Sequence, residues 1–323
     1  MRILYFFLLL LMILTLSVVS CSPRLNPVPS PAPSPSPSIT PTPLPVLDTI
    51  TGSFQNQISS LENDMPRSRS EGYVIPTHQE QEDFATLISR INTHDLVGAA
   101  TLATRNNYGL TYYIDQSGNE AISYLLREEK PIQKGWGLYA FRKDSTSNII
   151  IEAPHPLYDR RTPSVALDIY RAVDARALLI AGAHRHANRD GSADVAHTSE
   201  SIFQSVHMAL SQELQAEAGD VIILQIHGFH STRHKGYPEV VFGLGKNAQA
   251  KEVALAEKIK EALAAQGISA GVCVGDTLKA LCAETNAQSA VTKEGIFLHI
   301  ELDEKLRKED SGVVAALVEV FSK

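Results

Sequence analysis

Beyond residue 148 the apolar positions fall into short buried runs separated by longer stretches of helical spacing, which predicts strands and helices in alternation around a sheet. The expected strands are 149–153, 177–181, 221–226, 239–242, 269–274 and 297–301. The expected helices are 164–173, begun by Pro163, then 200–215, 248–266, stopped by Gly267, and 312–321. No internal repeat is evident. The fold class implied is α/β: a mixed, largely parallel central sheet flanked by helices, preceded by an antiparallel β extension.

The pattern upstream is different. Thr77 is followed by Glu80 and then by Phe84, Leu87, Ile88 and Ile91, a capping box leading into a helix that runs to about Asn92. Alternation in Ala99-Thr101-Ala103, Leu110-Tyr112-Ile114 and Ser123-Leu125, broken by Asn106-Asn107 and Ser117-Gly118, predicts an antiparallel meander. Trp136, Tyr139 and Phe141 fall in one more strand ending near Asp144 and read as core aromatics. Residues 48–76 are polar with few periodic apolar positions, so they are expected to continue a loose linker, with order from near Tyr73.

At the start, Arg2 precedes an apolar run from Ile3 to Val19, which reads as an export signal. Val18-Val19-Ser20-Cys21 resembles the lipobox of bacterial lipoproteins and implies a lipid on Cys21. An uncleaved membrane anchor is the alternative, but the run falls short of the ~20 residues that span a bilayer comfortably. Cys21 through Pro45 is dominated by Pro, Ser and Thr and favours polyproline II at about 3.1 Å per residue, a tether reaching up to roughly 75 Å. The expected organisation is therefore a signal peptide over 1–20, a tether over 21–47, a helix-plus-meander extension over 48–147 and an α/β catalytic domain over 148–323. The expected location is extracytoplasmic and membrane-attached.

Formal net charge is −7 with no Lys/Arg block, so no nucleic-acid partner and no charge-driven membrane binding is expected. Gly243-Leu244-Gly245-Lys246 lacks the spacing and the Ser/Thr of a phosphate loop and reads as a turn, so no nucleotide is expected either. Cys273 and Cys282 form either a disulfide or two buried thiols, and their spacing excludes a zinc knuckle.

The chemistry lies at three strand ends. His155 and Asp159 stand four apart across Pro156, His227 precedes Gly228 at the end of 221–226, and Glu301 closes an apolar run on the same face as His299. Each has a bland reading: a turn at His155-Pro156, a helix cap for Asp159, a salt bridge to Arg307 for Glu301. In series they supply the two imidazoles, carboxylate and additional base of a hydrolytic zinc site. The polar loop carrying His184, Arg185, His186 and Asn188, and the segment ending at His197, are expected to rim the pocket as substrate contacts or as solvated loop. Asn286 either holds a substrate oxygen or forms a turn.

In order and strand context, His155-x-x-x-Asp159, His227-Gly228, Thr285-Asn286-x-Gln288 and His299-Ile300-Glu301-Leu302, with Arg307 six residues after the Glu, resemble the poly-γ-glutamate hydrolase group. That group looks related to zinc carboxypeptidases and N-formylglutamate amidohydrolases. The resemblance covers residues 149–307. It implies one zinc ion held by His155, Asp159 and His227, with Glu301 as base. On chemical grounds Arg185, or else Arg307, is expected to stabilise an oxyanion or clamp a substrate carboxylate through its planar fork. The chain departs from the group in having Pro156-Leu157-Tyr158 where glycines are found, and Asp159 where Glu is usual.

The reading is a lipid-anchored zinc amidohydrolase, carboxypeptidase-like, acting on peptide-like or cell-envelope amides. The alternatives are a surface-displayed binding lipoprotein without chemistry and a metal-dependent esterase or phosphatase on the same site.

Overall fold

The apolar runs do pair into one sheet. In the computed structural model, residues 47–117, 121–246, 248–273, 278–308 and 311–322 are described, and the expected export signal, Cys21 and nearly all of the tether lie outside them. Ten strands occur in the order β1-β2-β3-β4-β6-β5-β7-β10-β8-β9. They are β1 (Thr49–Gly52), β2 (Tyr108–Asp115), β3 (Ile122–Glu128), β4 (Leu138–Arg142), β5 (Ile149–Ala153), β6 (Ala177–Ile180), β7 (Ile222–Phe229), β8 (Val240–Gly243), β9 (Ala270–Val272) and β10 (Ile296–Asp303). The central strands β6, β5, β7 and β10 run parallel to their neighbours in that group. The meander strands β2, β3 and β4 pair antiparallel and continue the same sheet through β4 and β6.

Helices cover both faces, because a sheet buried on both sides must hide two apolar surfaces. One face packs Leu224, Ile226, Leu298 and Ile300 against α1 (Phe54–Asp64), α4 (Thr162–Ala172), α6 (Ala250–Ala265) and α8 (Val313–Phe321). The other packs Leu179, Ile223 and Phe297 against α2 (His78–Asn92), α3 (Leu96–Arg105) and α5 (Ile202–Ala218). Each fully buried Leu, Ile or Phe contributes about 1.5–3 kcal/mol relative to exposure. Short α7 (Ala287–Val291) sits before β10. Among the described residues no helix is long and apolar enough to cross a membrane.

The capping box is present, with Thr77 Oγ1 accepting from Glu80 N at 3.3 Å and Glu80 Oε2 from Thr77 N at 2.8 Å. Gly267, at φ +73°, stops α6 in the left-handed region that suits glycine. Trp136, Tyr139 and Phe141 are buried, as core aromatics should be.

Two expectations fail. Residues 48–76 are not a loose lead-in: β1 pairs parallel with β2, and α1 buries Phe54, Ile58 and Leu61. Their spacing of four and three is helical, and Asp115 Oδ1 accepts from Phe54 N at 3.1 Å, satisfying a donor at the helix start from a distant strand. Residues 96–105 are a helix rather than the first meander strand. Ala99 and Ala103, read there as alternating with Thr101, are also four apart and are both fully buried, and Asp95 Oδ1 caps Gly98 N at 3.0 Å.

Candidate metal centre

The parallel ladder brings the polar groups to one end of the sheet. Glu152 on β5 pairs in register with Gln225 on β7, and Gln225 pairs with His299 on β10. Two residues further on, His227 faces Glu301 across the β7–β10 ladder. Because side chains alternate, Gln225, His227, His299 and Glu301 share a face, at the carboxyl ends of parallel strands where α/β enzymes hold their ligands.

His155 follows β5 directly. Its carbonyl accepts from Tyr158 N at 3.1 Å and from Asp159 N at 2.9 Å, so a single helical turn places His155 and Asp159 on one side. Pro156 at the start of that turn has no N–H to leave unpaired. The result is a contact of 3.3 Å between His155 Nδ1 and Asp159 Oδ2, and another of 3.3 Å between His227 Nδ1 and the same oxygen. The two imidazoles stand nearly perpendicular, ring centres 4.8 Å apart. All three side chains are buried.

Both distal nitrogens are occupied. His155 Nε2 donates to Asp194 Oδ1 at 2.8 Å, and His227 Nε2 donates to Gln225 Oε1 at 2.8 Å. That turns Nδ1 of each ring towards the Asp159 carboxylate, with Arg185 Nη1 also 3.5 Å from His155 Nδ1; an outer hydrogen bond on the distal nitrogen is the arrangement that orients a metal-bound imidazole. Asp194 also accepts from His197 Nδ1 at 3.0 Å and from Arg185 Nη2.

Electrostatics sharpen the contrast within the site. Burial pulls His155 down, yet contacts with Asp159 and Asp194 hold its pKa above the ordinary value. Burial acts alone in the opposite sense on the two carboxylates, but His155 and His227 keep Asp159, and His155 and His197 keep Asp194, below the usual carboxylate range. His227 is lowered to about 4, mainly by burial. Glu301 is pushed up to about 8 by burial, with the Asp159 charge adding to it. Among the described residues its Oε2 has no hydrogen-bond partner, nor has His299 Nδ1.

These groups line a cavity of about 670 Å³. Of the residues expected at the site, the structure brings His155, Asp159, His227, Glu301, Arg185, His197 and Arg307 to its wall. The other expected substrate contacts do not line it. Asn188 spends its amide on Tyr73, accepting from Tyr73 N at 3.3 Å and donating to Tyr73 O at 2.8 Å. Asn286 caps α7 through Ser289 N at 2.9 Å and donates to Gln225 Oε1 at 2.6 Å. His184 and His186 pack edge-on against the Tyr158 ring instead.

Arg307 is buried, with Nη1 donating to Arg160 O at 3.0 Å and Nη2 to Phe229 O at 3.2 Å. It explains Gly228: a Cβ there would lie 2.4 Å from Arg307 Nη1, so the glycine makes room for a guanidinium. Arg185 lies over Tyr158, 5.2 Å from the ring centre. Cys273 and Cys282 are joined as a disulfide, beside the wall formed by Ala280, Leu281 and Ala283.

Several residues at or behind the cavity wall were given no role from the sequence. His299 stacks on His227 with ring centres 3.9 Å apart, and its signal was its place two residues before Glu301. Asp194 lay in a loop already expected at the rim, but nothing local marks it as the partner of His155. Arg233, His230 and His234 come from a polar loop after β7 with no motif to announce it. A second cavity of about 710 Å³ shares Tyr158, His230 and Arg307 and adds Arg160, Arg161, Lys305 and Lys308.

No protein-family model matches the chain, and no curated protein sequence is significantly similar to it. Among solved structures it resembles an N-formylglutamate amidohydrolase from Ralstonia eutropha JMP134, at 12% identity and TM-score 0.40, over 57% of this chain and 94% of that one. An aspartoacylase family protein from Mesorhizobium loti overlaps at 12% identity and TM-score 0.41, over 67% of this chain and 71% of the other. A bacteriophage poly-γ-glutamate hydrolase overlaps at 11% identity and TM-score 0.36, over 57% and 87%. Residue roles in this chain follow from its own geometry.

Proposed function

We propose that the protein is a zinc-dependent hydrolase of amide bonds in peptide-like or cell-envelope substrates. The observation that carries this is the convergence of His155 Nδ1, His227 Nδ1 and Asp159 Oδ2 beside Glu301. In a tetrahedral zinc site with bonds of about 2.0–2.1 Å, neighbouring ligand atoms are separated by about 3.3 Å. Both nitrogens stand 3.3 Å from the Asp159 oxygen, and two imidazoles with one carboxylate are a donor set zinc accepts. The residues fit the metal.

A zinc ion held there supplies Lewis acidity, polarising the scissile carbonyl and bringing a water molecule's pKa towards neutrality. Glu301 takes the proton of the attacking water on a carboxylate oxygen and returns it to the leaving nitrogen. Arg185, which lies over Tyr158 and pairs with Asp194 at the cavity wall, would donate to the developing oxyanion. Arg233 at the wall and Arg160, Arg161 and Lys308 next door, set among Glu284, Asp303 and Glu304, offer cationic partners for a substrate carboxylate.

The test is metal analysis and turnover on the full-length protein, with amide, ester and phosphate substrates compared. Stoichiometric zinc and chelator-sensitive amide hydrolysis are expected. A chain that takes up no zinc, or that cleaves only esters or phosphates, sinks this reading. We further propose that Cys21 is lipidated and anchors the enzyme to an envelope membrane, on the strength of Val18-Val19-Ser20-Cys21. The parent should then incorporate labelled fatty acid and Cys21→Ser should not, and a parent that takes up no label refutes the lipid anchor.

A further inference from the structure

Behind His227 lies a buried polar cluster that the proposed reaction does not use. Glu152, Gln225, Gln288 and His207 are all fully buried at the middle of the sheet and under α5 and α7. Gln225 is the only one of them that touches His227, so the orientation of its amide decides which atom meets the imidazole.

Three constraints fix that orientation, each ending on a group that cannot reverse. The Glu152 carboxylate only accepts, and it takes a hydrogen bond from Gln225 Nε2 at 2.8 Å. Gln288 donates through Nε2 to Val195 O at 2.9 Å, which turns its own Oε1 towards Gln225 Nε2 at 3.1 Å. Asn286 accepts from Ser289 N through Oδ1, which turns its Nδ2 towards Gln225 Oε1. A flipped Gln225 would set oxygen against oxygen at Glu152 and at Gln288, and N–H against N–H at Asn286. Each such unpaired buried group costs about 1–3 kcal/mol.

With Oε1 thus facing His227, the imidazole must carry its proton on Nε2. This matters because the other nitrogen faces Asp159, and a neutral ring left to itself has a carboxylate there to receive Nδ1–H. That alternative tautomer puts the lone pair on Nε2, turned towards Gln225 and away from Asp159.

We propose that Gln225 is a positioning residue that holds His227 as the Nε2–H tautomer, keeping Nδ1 free to bind metal, and that Glu152 acts through Gln225 by preventing the amide flip. Glu152 is in turn supported by His207 Nδ1 at 2.7 Å. The hydroxyl of Thr292 donates to Gln288 O at 2.9 Å and so accepts from His207 Nε2 at 3.1 Å. The cluster ties α5, α7, β5 and β7 to one ring nitrogen. This inference rests on the metal reading only where zinc affinity is concerned, since the tautomer is a property of the metal-free chain.

The experiment is nitrogen NMR of histidine-labelled, chelator-treated full-length protein, paired with zinc affinity by chelator competition, for the parent, Gln225→Leu and Glu152→Gln. The parent is expected to show His227 protonated on Nε2. Gln225→Leu should move the proton to Nδ1 and weaken zinc by about 10–100-fold, the usual effect of losing an outer-shell partner. Glu152→Gln, which removes no atom touching His227, should give a mixture of tautomers and an intermediate loss. Nδ1–H in the parent overturns the proposal whether or not the variants fold. So do variants that melt earlier yet keep the parent tautomer, since they would make the cluster structural only. A parent that binds no zinc but carries Nε2–H removes the metal reading and leaves the positioning role standing.

Discussion

Glu301 on β10 lies directly across the parallel ladder from His227 on β7, so a proposed base and a proposed metal ligand are locked one strand spacing apart by backbone hydrogen bonds. Strand neighbours sit about 4.8 Å apart, and the polar atoms of His227, His299 and Glu301 lie within 4.8 Å of one another.

From this placement, Glu301→Gln should abolish turnover and leave the metal in place. Loss of general acid–base catalysis lowers kcat by about 10²–10⁴-fold. Amide hydrolysis measured beside metal content separates the two effects, and a variant with parental activity removes Glu301 from the mechanism.

His227→Ala should reduce zinc from stoichiometric to near zero, because it takes away one of three ligands and also the partner that Gln225 positions. Metal analysis after gel filtration checks it. Retained zinc would place the metal elsewhere.

Glu301 also predicts how the metal-free protein responds to pH. Its carboxyl is raised from 4.5 to about 8 in the folded chain, so the fold binds that proton more tightly than the unfolded chain does. The stabilisation is complete below pH about 4.5 and is lost as pH rises through about 8, a change on the order of a few kcal/mol. His227, lowered to about 4, works in the other direction: its contribution is present above about 6.5 and is lost as pH falls towards 4. Denaturation midpoints of chelator-treated protein should therefore fall less between pH about 5 and 8 in Glu301→Gln than in the parent. Parallel curves would show that Glu301 is not the group responsible.

Gly228→Ala forces a methyl group to within 2.4 Å of Arg307 Nη1 and 2.6 Å of its Cζ. Overpacking of this kind costs about 1–3 kcal/mol, and here it also shifts a guanidinium at the cavity wall. Lower thermal stability together with reduced activity is expected, and an unaltered melt would mean that Arg307 moves aside freely.

Phe54→Ala tests the N-terminal region. The ring is buried against Tyr113, 5.2 Å away between centres, and removing it should destabilise the fold by about 3–5 kcal/mol. A negligible effect would return residues 48–76 to a peripheral role.

The α/β half of the fold was legible because its signals are local. Runs such as 221–226 admit little besides a buried strand, and Pro163 and Gly267 mark helix ends by their own backbone limits. Residues 96–105 misled because Ala99, Thr101 and Ala103 fit a period of two while Ala99 and Ala103 also fit a helical turn. Small side chains carry little periodic contrast, so tertiary packing decides. Phe54, Ile58 and Leu61 had helical spacing but sit in a polar stretch whose partner, β2, is some 60 residues away in the chain.

At the site, strand-end position was enough to find His155, His227 and Glu301, since an ionisable group terminating an apolar run must be paired, hydrated or functional. Asn188 and Asn286 had the same polar character, but one binds the backbone of Tyr73 and the other caps α7. Nothing in their immediate neighbourhood distinguishes a structural amide from one that meets substrate.

By itself, then, the sequence determined that His155, His227 and Glu301 stand at strand ends on one side of a buried sheet, because alternation and chain stops are properties of a few neighbouring residues. Only the tertiary structure decided which nitrogens point inward, that Asp194 and Gln225 hold the two imidazoles, and that Arg307 fills the space left by Gly228. Those outcomes depend on register and hydrogen-bond direction between segments far apart in the chain, and a hydrogen bond that selects one tautomer or one amide face leaves no trace in residue order.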